Sequence, residues 1–391
     1  MARLGLSGYF LDRPFSGSGQ YTTALLQELL SLWDGEIVVF CLTSQAQQEA
    51  HRFVATQDGK RTAGLRPVLL NNLFRGNWGK LWFEQVAFPW ACRQHAVDIL
   101  HVPYFAPPLW SPCPRVVTIH DIIPLVMPEP GAPFSVRMYN AFISRVTAQV
   151  ESIITDSEHT RQDVLRVLGP PAERVRVVYL ACGHQFRPVT DTNTLERVWL
   201  KYGLRREFVL YLGGLEERKN VATLIRAFAQ VPPPWELAIA GGSYSHRNPA
   251  LETLRRLAEE WNLRERVHFL GWVDEGDKPA LYSLCGLFVF PSLYEGFGIP
   301  PLEAMACGAP VLCSSASSLP EVVGAGAMLF DPTNQNELTR LMAHLLTHPA
   351  ERDALRERGL RQAVSFSWKR TAKETTAVYQ GVLDSYTRVR P

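Results

Sequence analysis

The 391-residue sequence lacks the features that mark several protein classes. No stretch approaches the ~18 uninterrupted apolar residues that a membrane-spanning helix needs. The first residues, MARLGLSGYFLDRPF, hold no apolar h-region, so no secretory leader is expected. There is no CxxC pair. The seven cysteines (Cys41, Cys92, Cys113, Cys182, Cys285, Cys307 and Cys313) are odd in number and read as reduced, buried thiols, not as a zinc ribbon or a dithiol. No charge of one sign dominates: 40 Lys+Arg against 38 Asp+Glu leave +2, which gives no reason to expect nucleic acid as a partner. An Asp-rich D-x-D run is missing, so nothing in the sequence points to a divalent metal. Disorder is excluded in turn, because 46% of the residues are apolar and 20% charged.

What is present is a repeated alternation of strand, loop and helix. The apolar runs 3–8, 36–42, 97–101, 115–119, 152–155 and 176–179 read as strands, and 20–33 reads as a helix with Leu25, Leu26, Leu29 and Leu30 at helical spacing. A second series follows a turn-like stretch at 181–191. Its strands are expected at 208–212, 236–240, 267–269, 287–290, 310–313 and 327–330. Such alternation implies parallel sheets with helices on both faces, and the length suits two domains. Ligands of doubly wound sheets sit outside the carboxyl ends of the strands.

Several loops at those ends carry chemistry. After the strand LFVF comes PSLYEGFGIPPLEAMACGAP, residues 291–310. Glu295 lies in a Gly-rich loop, and the spacing places Glu303 in the first turn of the helix that Pro300 and Pro301 open. Free N–H groups at such an end suit an anion. Two carboxylates there suit a sugar and a ribose diol, or Glu303 merely complements the helix dipole while Glu295 is solvated. Leu212–Asn220, LGGLEERKN, sets Arg218 and Lys219 after a Gly pair, as a diphosphate requires. The segment TIHD ends another strand with His120, a hydrogen-bond donor, a base or a structural histidine, and with Asp121, which suits a turn cap. In SGSGQ, residues 16–20, Gly17 and Gly19 lack the third glycine of a dinucleotide fingerprint, and the next strand ends without an acid, which disfavours a dehydrogenase. AGGS (240–243), GWV (271–273) and TDS (155–157) are lesser strand-end candidates, each also readable as ordinary turn chemistry. The aromatic stretch 73–90, with Arg75 and Lys80 interleaved, reads either as a membrane-surface face or as core; core is favoured, with Trp82, Phe83, Val86 and Phe88 inside.

The EGFG-x-PPLEAMACG-x-PV text and the RKN element resemble the retaining glycosyltransferases of family 4, which carry an E-x7-E signature. That resemblance implies the GT-B fold: two Rossmann-like α/β domains, doubly wound on parallel sheets, facing across a cleft. It implies an acceptor-side domain over 1–187, completed by a C-terminal helix at about 370–391, and a nucleotide-sugar domain over 188–369. It assigns ribose to Glu303, the donor sugar to Glu295 and His120, and the leaving diphosphate to Arg218 and Lys219. It adds backbone contacts from Gly19, Gly214, Gly241, Val273, Gly296, Phe297, Gly298 and Ile299. Many members have an arginine where this chain has Gly214, so the roles of Arg218 and Lys219 are left undivided. The implied donor is a nucleotide diphosphate sugar, GDP-mannose first and a UDP-hexose next, with no permanent cofactor and no metal. The implied acceptor is a glycan or lipid-linked glycan, handled in the cytoplasm or at the inner face of the membrane. A GT-B-like epimerase, a phosphorylase or a non-catalytic nucleotide-sugar subunit would share the same text.

Overall fold

The computed structural model describes residues 2–55, 63–71, 74, 76–128, 133–204, 208–242 and 249–389. The chain divides into two compact units, Met1–Leu180 with Trp368–Pro391, and Ala181–Ser367.

The first unit holds a seven-stranded parallel sheet in the order β3-β2-β1-β4-β5-β6-β7. The strands are β1 (Ala2–Ser7), β2 (Gly35–Cys41), β3 (Gly64–Leu69), β4 (Ile99–Val102), β5 (Arg115–Ile119), β6 (Ser152–Thr155) and β7 (Val175–Val177). β1, β2, β4, β5 and β6 are almost wholly buried, as expected of strands covered on both faces. β3 escaped the sequence reading. It is a half-exposed edge strand that carries Pro67, so it shows neither an apolar run nor a central-strand composition. The helix Trp368–Val389 packs back on this sheet: Tyr379 donates to or accepts from His101 Nδ1 at 2.7 Å, and Thr371 donates to the Tyr179 carbonyl at 2.6 Å.

The second unit holds a six-stranded parallel sheet, β10-β9-β8-β11-β12-β13. Its strands are β8 (Phe208–Leu212), β9 (Glu236–Ala240), β10 (Val267–Gly271), β11 (Leu287–Phe290), β12 (Val311–Ser314) and β13 (Met328–Phe330). The strand order reverses between β8 and β11. Their carboxyl ends flank the switch point, the place where doubly wound sheets bind ligands.

Candidate active site

Both strong motifs emerge at that switch point. The loop after β8 ends in a short 3-10 turn, Glu217–Lys219, and the loop after β11 runs from Pro291 to Gly298. Asn220 fastens one to the other. It sits in the left-handed region at φ 57°, where asparagine is among the few tolerated side chains, and its amide donates to the Pro291 carbonyl at 3.2 Å and the Pro332 carbonyl at 2.9 Å. The backbone of Leu293 also donates to the Arg218 carbonyl at 2.8 Å.

This stitching draws the charges together. Lys219 Nζ lies 2.6 Å from Glu295 Oε1, and the Arg218 guanidinium lies 3.5 Å from Glu295 Oε2 and donates to the Tyr294 carbonyl at 3.2 Å. The sequence reading gave the cations and Glu295 separate partners and missed their mutual pairing, which spans 76 positions in the chain. Nor is Glu295 solvated: it is 9% exposed. Its loop is pinned from below. The Glu295 N–H donates to Ser317 Oγ at 2.8 Å, and Ser318 Oγ stands 2.9 Å from the Glu295 and Phe297 carbonyls. Phe297 is buried edge-on against Phe366. Gly296 is buried beside it.

Gly298 caps the next helix, Ile299–Ala306, at φ 107°, and a Cβ there would stand 2.6 Å from Leu319. Glycine meets both demands at once. Glu303 therefore falls in the second turn of this helix, not the first as its spacing suggested, and complementing the dipole does not account for it. It is buried, accepts a 2.9 Å hydrogen bond from the Tyr282 hydroxyl, and burial pushes its carboxyl up to about 7, with Lys278 and Tyr282 opposing. Tyr282 was not legible as a partner, since it lies 21 residues away on another helix.

The glycines have local reasons. A Cβ on Gly241 would stand 1.8 Å from the Gly213 carbonyl, so the ends of β8 and β9 can approach only without side chains. Gly214 accepts from the Tyr211 hydroxyl and leaves room for the Glu216 carboxylate. Val273 is buried beside the exposed Trp272. Ser243, of the AGGS candidate, lies outside the described residues.

In the first unit, Ser16 caps the helix Gly17–Leu32 and accepts the Gly19 N–H at 3.1 Å. A Cβ on Gly19 would stand 2.0 Å from the Arg13 carbonyl, whereas one on Gly17 meets nothing within 4 Å. Gly19 thus has a packing role and a committed N–H, and Gly17 faces open space. Asp121 Oδ1 accepts from the Ile123 N–H at 3.0 Å, a local turn cap.

His120 ends β5 beside Asp156, which ends β6; their side chains meet at 2.6 Å, Nδ1 to Oδ2. Nε2 lies 3.2 Å from the Pro103 carbonyl. Burial pulls the imidazole down, but the Asp156 carboxylate outweighs it and holds the pKa above the ordinary histidine value. Asp156 is shifted upward by its own burial, with His120 opposing. Both ring nitrogens are thus engaged, Nδ1 by a carboxylate and Nε2 by a carbonyl, so His120 is held in place and not presented as a free base. Asp156 stood in the lesser TDS candidate, and the pairing of β5 with β6 brings it into place. We expect the His120 ring to titrate above ~6.5 by NMR and to fall toward it in Asp156→Asn. Stability drawn from this pair is then full below ~6.5 and lost as pH rises through the raised value. An unshifted midpoint in both proteins would refute the pairing.

The sequence matches two family models, Glycosyltransferase Family 4 over residues 15–182 and Glycosyl transferases group 1 over residues 197–362. O-antigen chain mannosyltransferase B of Escherichia coli is 34% identical over 296 residues, 74% of this chain and 76% of that one. The chain is a family 4 glycosyltransferase. This glycosyltransferase is also 36% identical over 269 residues to the serotype-specific mannosyltransferase WbdA of Escherichia coli, which covers 67% of this chain but only 32% of that longer one. Sucrose-phosphate synthase from Thermosynechococcus elongatus superposes with a TM-score of 0.75 at 22% identity, over 98% of this chain and 100% of that one. The fold is GT-B. Among the described residues no helix is long and apolar enough to cross a membrane.

Proposed function

We propose that this glycosyltransferase moves a mannosyl group from GDP-mannose to a hydroxyl of a growing surface glycan, with retention and without a metal. The observation that carries the reading is the convergence of Arg218, Lys219 and Glu295 at the switch point of the second sheet. Two cations there suit a diphosphate whose charge grows as it leaves. The mannosyltransferases among its relatives support the sugar and the glycan.

Glu303 holds the ribose diol. Glu295 and His120 orient the sugar. The backbone from Gly296 to Ile299, with Gly214, Gly241 and Val273, lines the nucleotide. In the reaction the bond from sugar C1 to the β-phosphate oxygen breaks, and the acceptor oxygen bonds to C1 on the same face. The acceptor proton passes to a departing phosphate oxygen. The chain contributes positioning and charge, not a covalent intermediate. The acceptor is a glycan or a lipid-linked glycan.

Thermal shift with GDP, UDP and ADP separates the donors. A ligand at one hundred times its Kd stabilises by ~2.7 kcal/mol, which raises the melting temperature by roughly 5–10 °C. We expect GDP to act most strongly and GDP-mannose to be consumed only with acceptor present. Stabilisation by UDP alone would reassign the donor to a UDP-hexose.

A further inference from the structure

Beneath His120 lies a buried polar chain that no step of the reaction uses. His120 follows β5 directly, and Thr118 stands two residues before it, so the two side chains leave the sheet on the same face. Thr118 Oγ1 lies 2.8 Å from His101 Nε2, on β4, and 3.0 Å from the Tyr21 hydroxyl. His101 Nδ1 in turn meets the Tyr379 hydroxyl of the C-terminal helix. All four are sealed from water. Burial, with His120 adding to it, pulls the His101 imidazole down to about 3. The ring is therefore neutral, with one nitrogen to donate and one to accept, which suits a hydroxyl on each side.

Polar groups in an apolar layer cost stability unless each finds a partner, and a network whose members are satisfied fixes one arrangement of its rings. The ring it fixes nearest the site is Tyr21. This residue sits in the second turn of the helix Gly17–Leu32, whose start is pinned by the Ser16 cap and by the close approach of Gly19 to the Arg13 carbonyl. Its ring meets the His120 imidazole edge to face, with centres 4.8 Å apart and planes at 76°. Trp368, at the head of the C-terminal helix, packs on the same ring at 6.1 Å. Of these linked side chains His120 alone reaches solvent, with its side chain 21% exposed.

The imidazole has a use for that contact. Its two hydrogen bonds, to Asp156 and to the Pro103 carbonyl, fix the nitrogens. The tilt of the ring about the line between them is set by what packs against it. An edge-to-face aromatic pair has a preferred direction that an aliphatic side chain does not supply. Tilt matters for a group that orients a sugar, because a misplacement of about 1 Å can cost ~10²-fold in rate.

We propose that Tyr21 is a positioning residue for glycosyl transfer: its ring, anchored through Thr118 and His101 to Tyr379, sets the tilt of His120 toward the donor sugar. The proposal rests on the role given to His120, and its test keeps the two apart. The His120 ring protons, assigned by their loss in His120→Ala, should be displaced by the Tyr21 ring current. The displacement should persist in Tyr21→Phe and vanish in Tyr21→Leu. Kinetics with GDP-mannose and a mannoside acceptor, run well below every melting temperature, give the second readout. Tyr21→Phe melts lower for want of its hydroxyl but should keep a kcat near that of wild type. Tyr21→Leu should lose roughly tenfold to a hundredfold in kcat with KM for GDP-mannose unchanged. In a His120→Ala background Tyr21→Leu should cost kcat nothing more, whereas a merely structural role gives independent losses that multiply. Should Tyr21→Leu not fold, Tyr21→Met takes its place. Undisplaced His120 resonances in the wild type, a kcat that follows the melting temperature in both variants, or multiplying losses overturn the proposal. No transfer from GDP-mannose, or a His120→Ala enzyme with full kcat, would instead sink the functional reading, and the resonances alone would then decide whether Tyr21 sets the ring.

Discussion

Replacing Lys219 with alanine should lower kcat/KM by roughly 10²–10³, the scale of losing one preorganised donor to a developing oxyanion. Lys219 is 9% exposed and bonds Glu295 at 2.6 Å, so its ammonium is fixed where little water screens it. Arg218 cannot take its place. It stands 3.5 Å from the other oxygen of Glu295 and is held by the Tyr294 carbonyl. Alanine also leaves the Glu295 carboxylate short of a partner in a buried setting, which destabilises the fold. The double variant Lys219→Ala/Glu295→Gln separates the two effects. It should recover the lost melting temperature and none of the lost turnover. Steady-state kinetics beside thermal melts make the check, and a Lys219→Ala enzyme with full turnover would remove the residue from the mechanism.

The second large effect concerns Glu303. Its carboxyl is raised from 4.5 to about 7, first by burial, so the folded protein keeps a proton there that the unfolded chain releases. Stability therefore falls as pH climbs from 4.5 toward 7, and above that window the buried charge is a full cost. A carboxylate accepts both hydroxyls of a ribose diol, whereas a carboxylic acid accepts less well. Nucleotide affinity should thus drop about tenfold from pH 8 to pH 6 as Glu303 takes up its proton. Glu303→Gln should abolish that Glu303-dependent part and leave only the nucleotide's own titration. At pH 8 it should weaken binding by roughly 10–100-fold, since a charged acceptor is lost. The same substitution should stabilise the free protein at pH 8 by about 2 kcal/mol, a rise of roughly 4–8 °C. Calorimetric titration and melting curves at the two pH values test both halves. Parallel pH profiles for wild type and variant would show that Glu303 does not meet the nucleotide.

Much of the molecule could be read before any coordinates. The buried strands announced themselves as short apolar runs, because a strand covered on both faces can afford no polar residue. Gly298, Pro300 and Pro301 marked a loop turning into a helix, because so few residues tolerate those backbone states. Arg218 and Lys219 stood out for the same kind of reason, as cations set at a strand's carboxyl end. β3 was not legible, since an edge strand needs only half an apolar pattern and its proline argued against it. Trp82, Phe83, Val86 and Phe88 were assigned to the core on their hydrophobicity alone; Phe83 and Phe88 are buried, whereas Trp82 is half-buried and Val86 is 43% exposed. Arg75, which the sequence set beside them, lies outside the described residues.

The sequence by itself determined the class of fold, the family and the loops that carry chemistry, because those depend on local pattern and on residue types at fixed spacing. Tertiary structure alone decided the pairings: Glu295 with Lys219, Glu303 with Tyr282, His120 with Asp156. Each joins groups from different strand ends or helices, between 21 and 76 positions apart. Protonation follows from those pairings and from burial, and neither is a property of the chain until the sheets have formed.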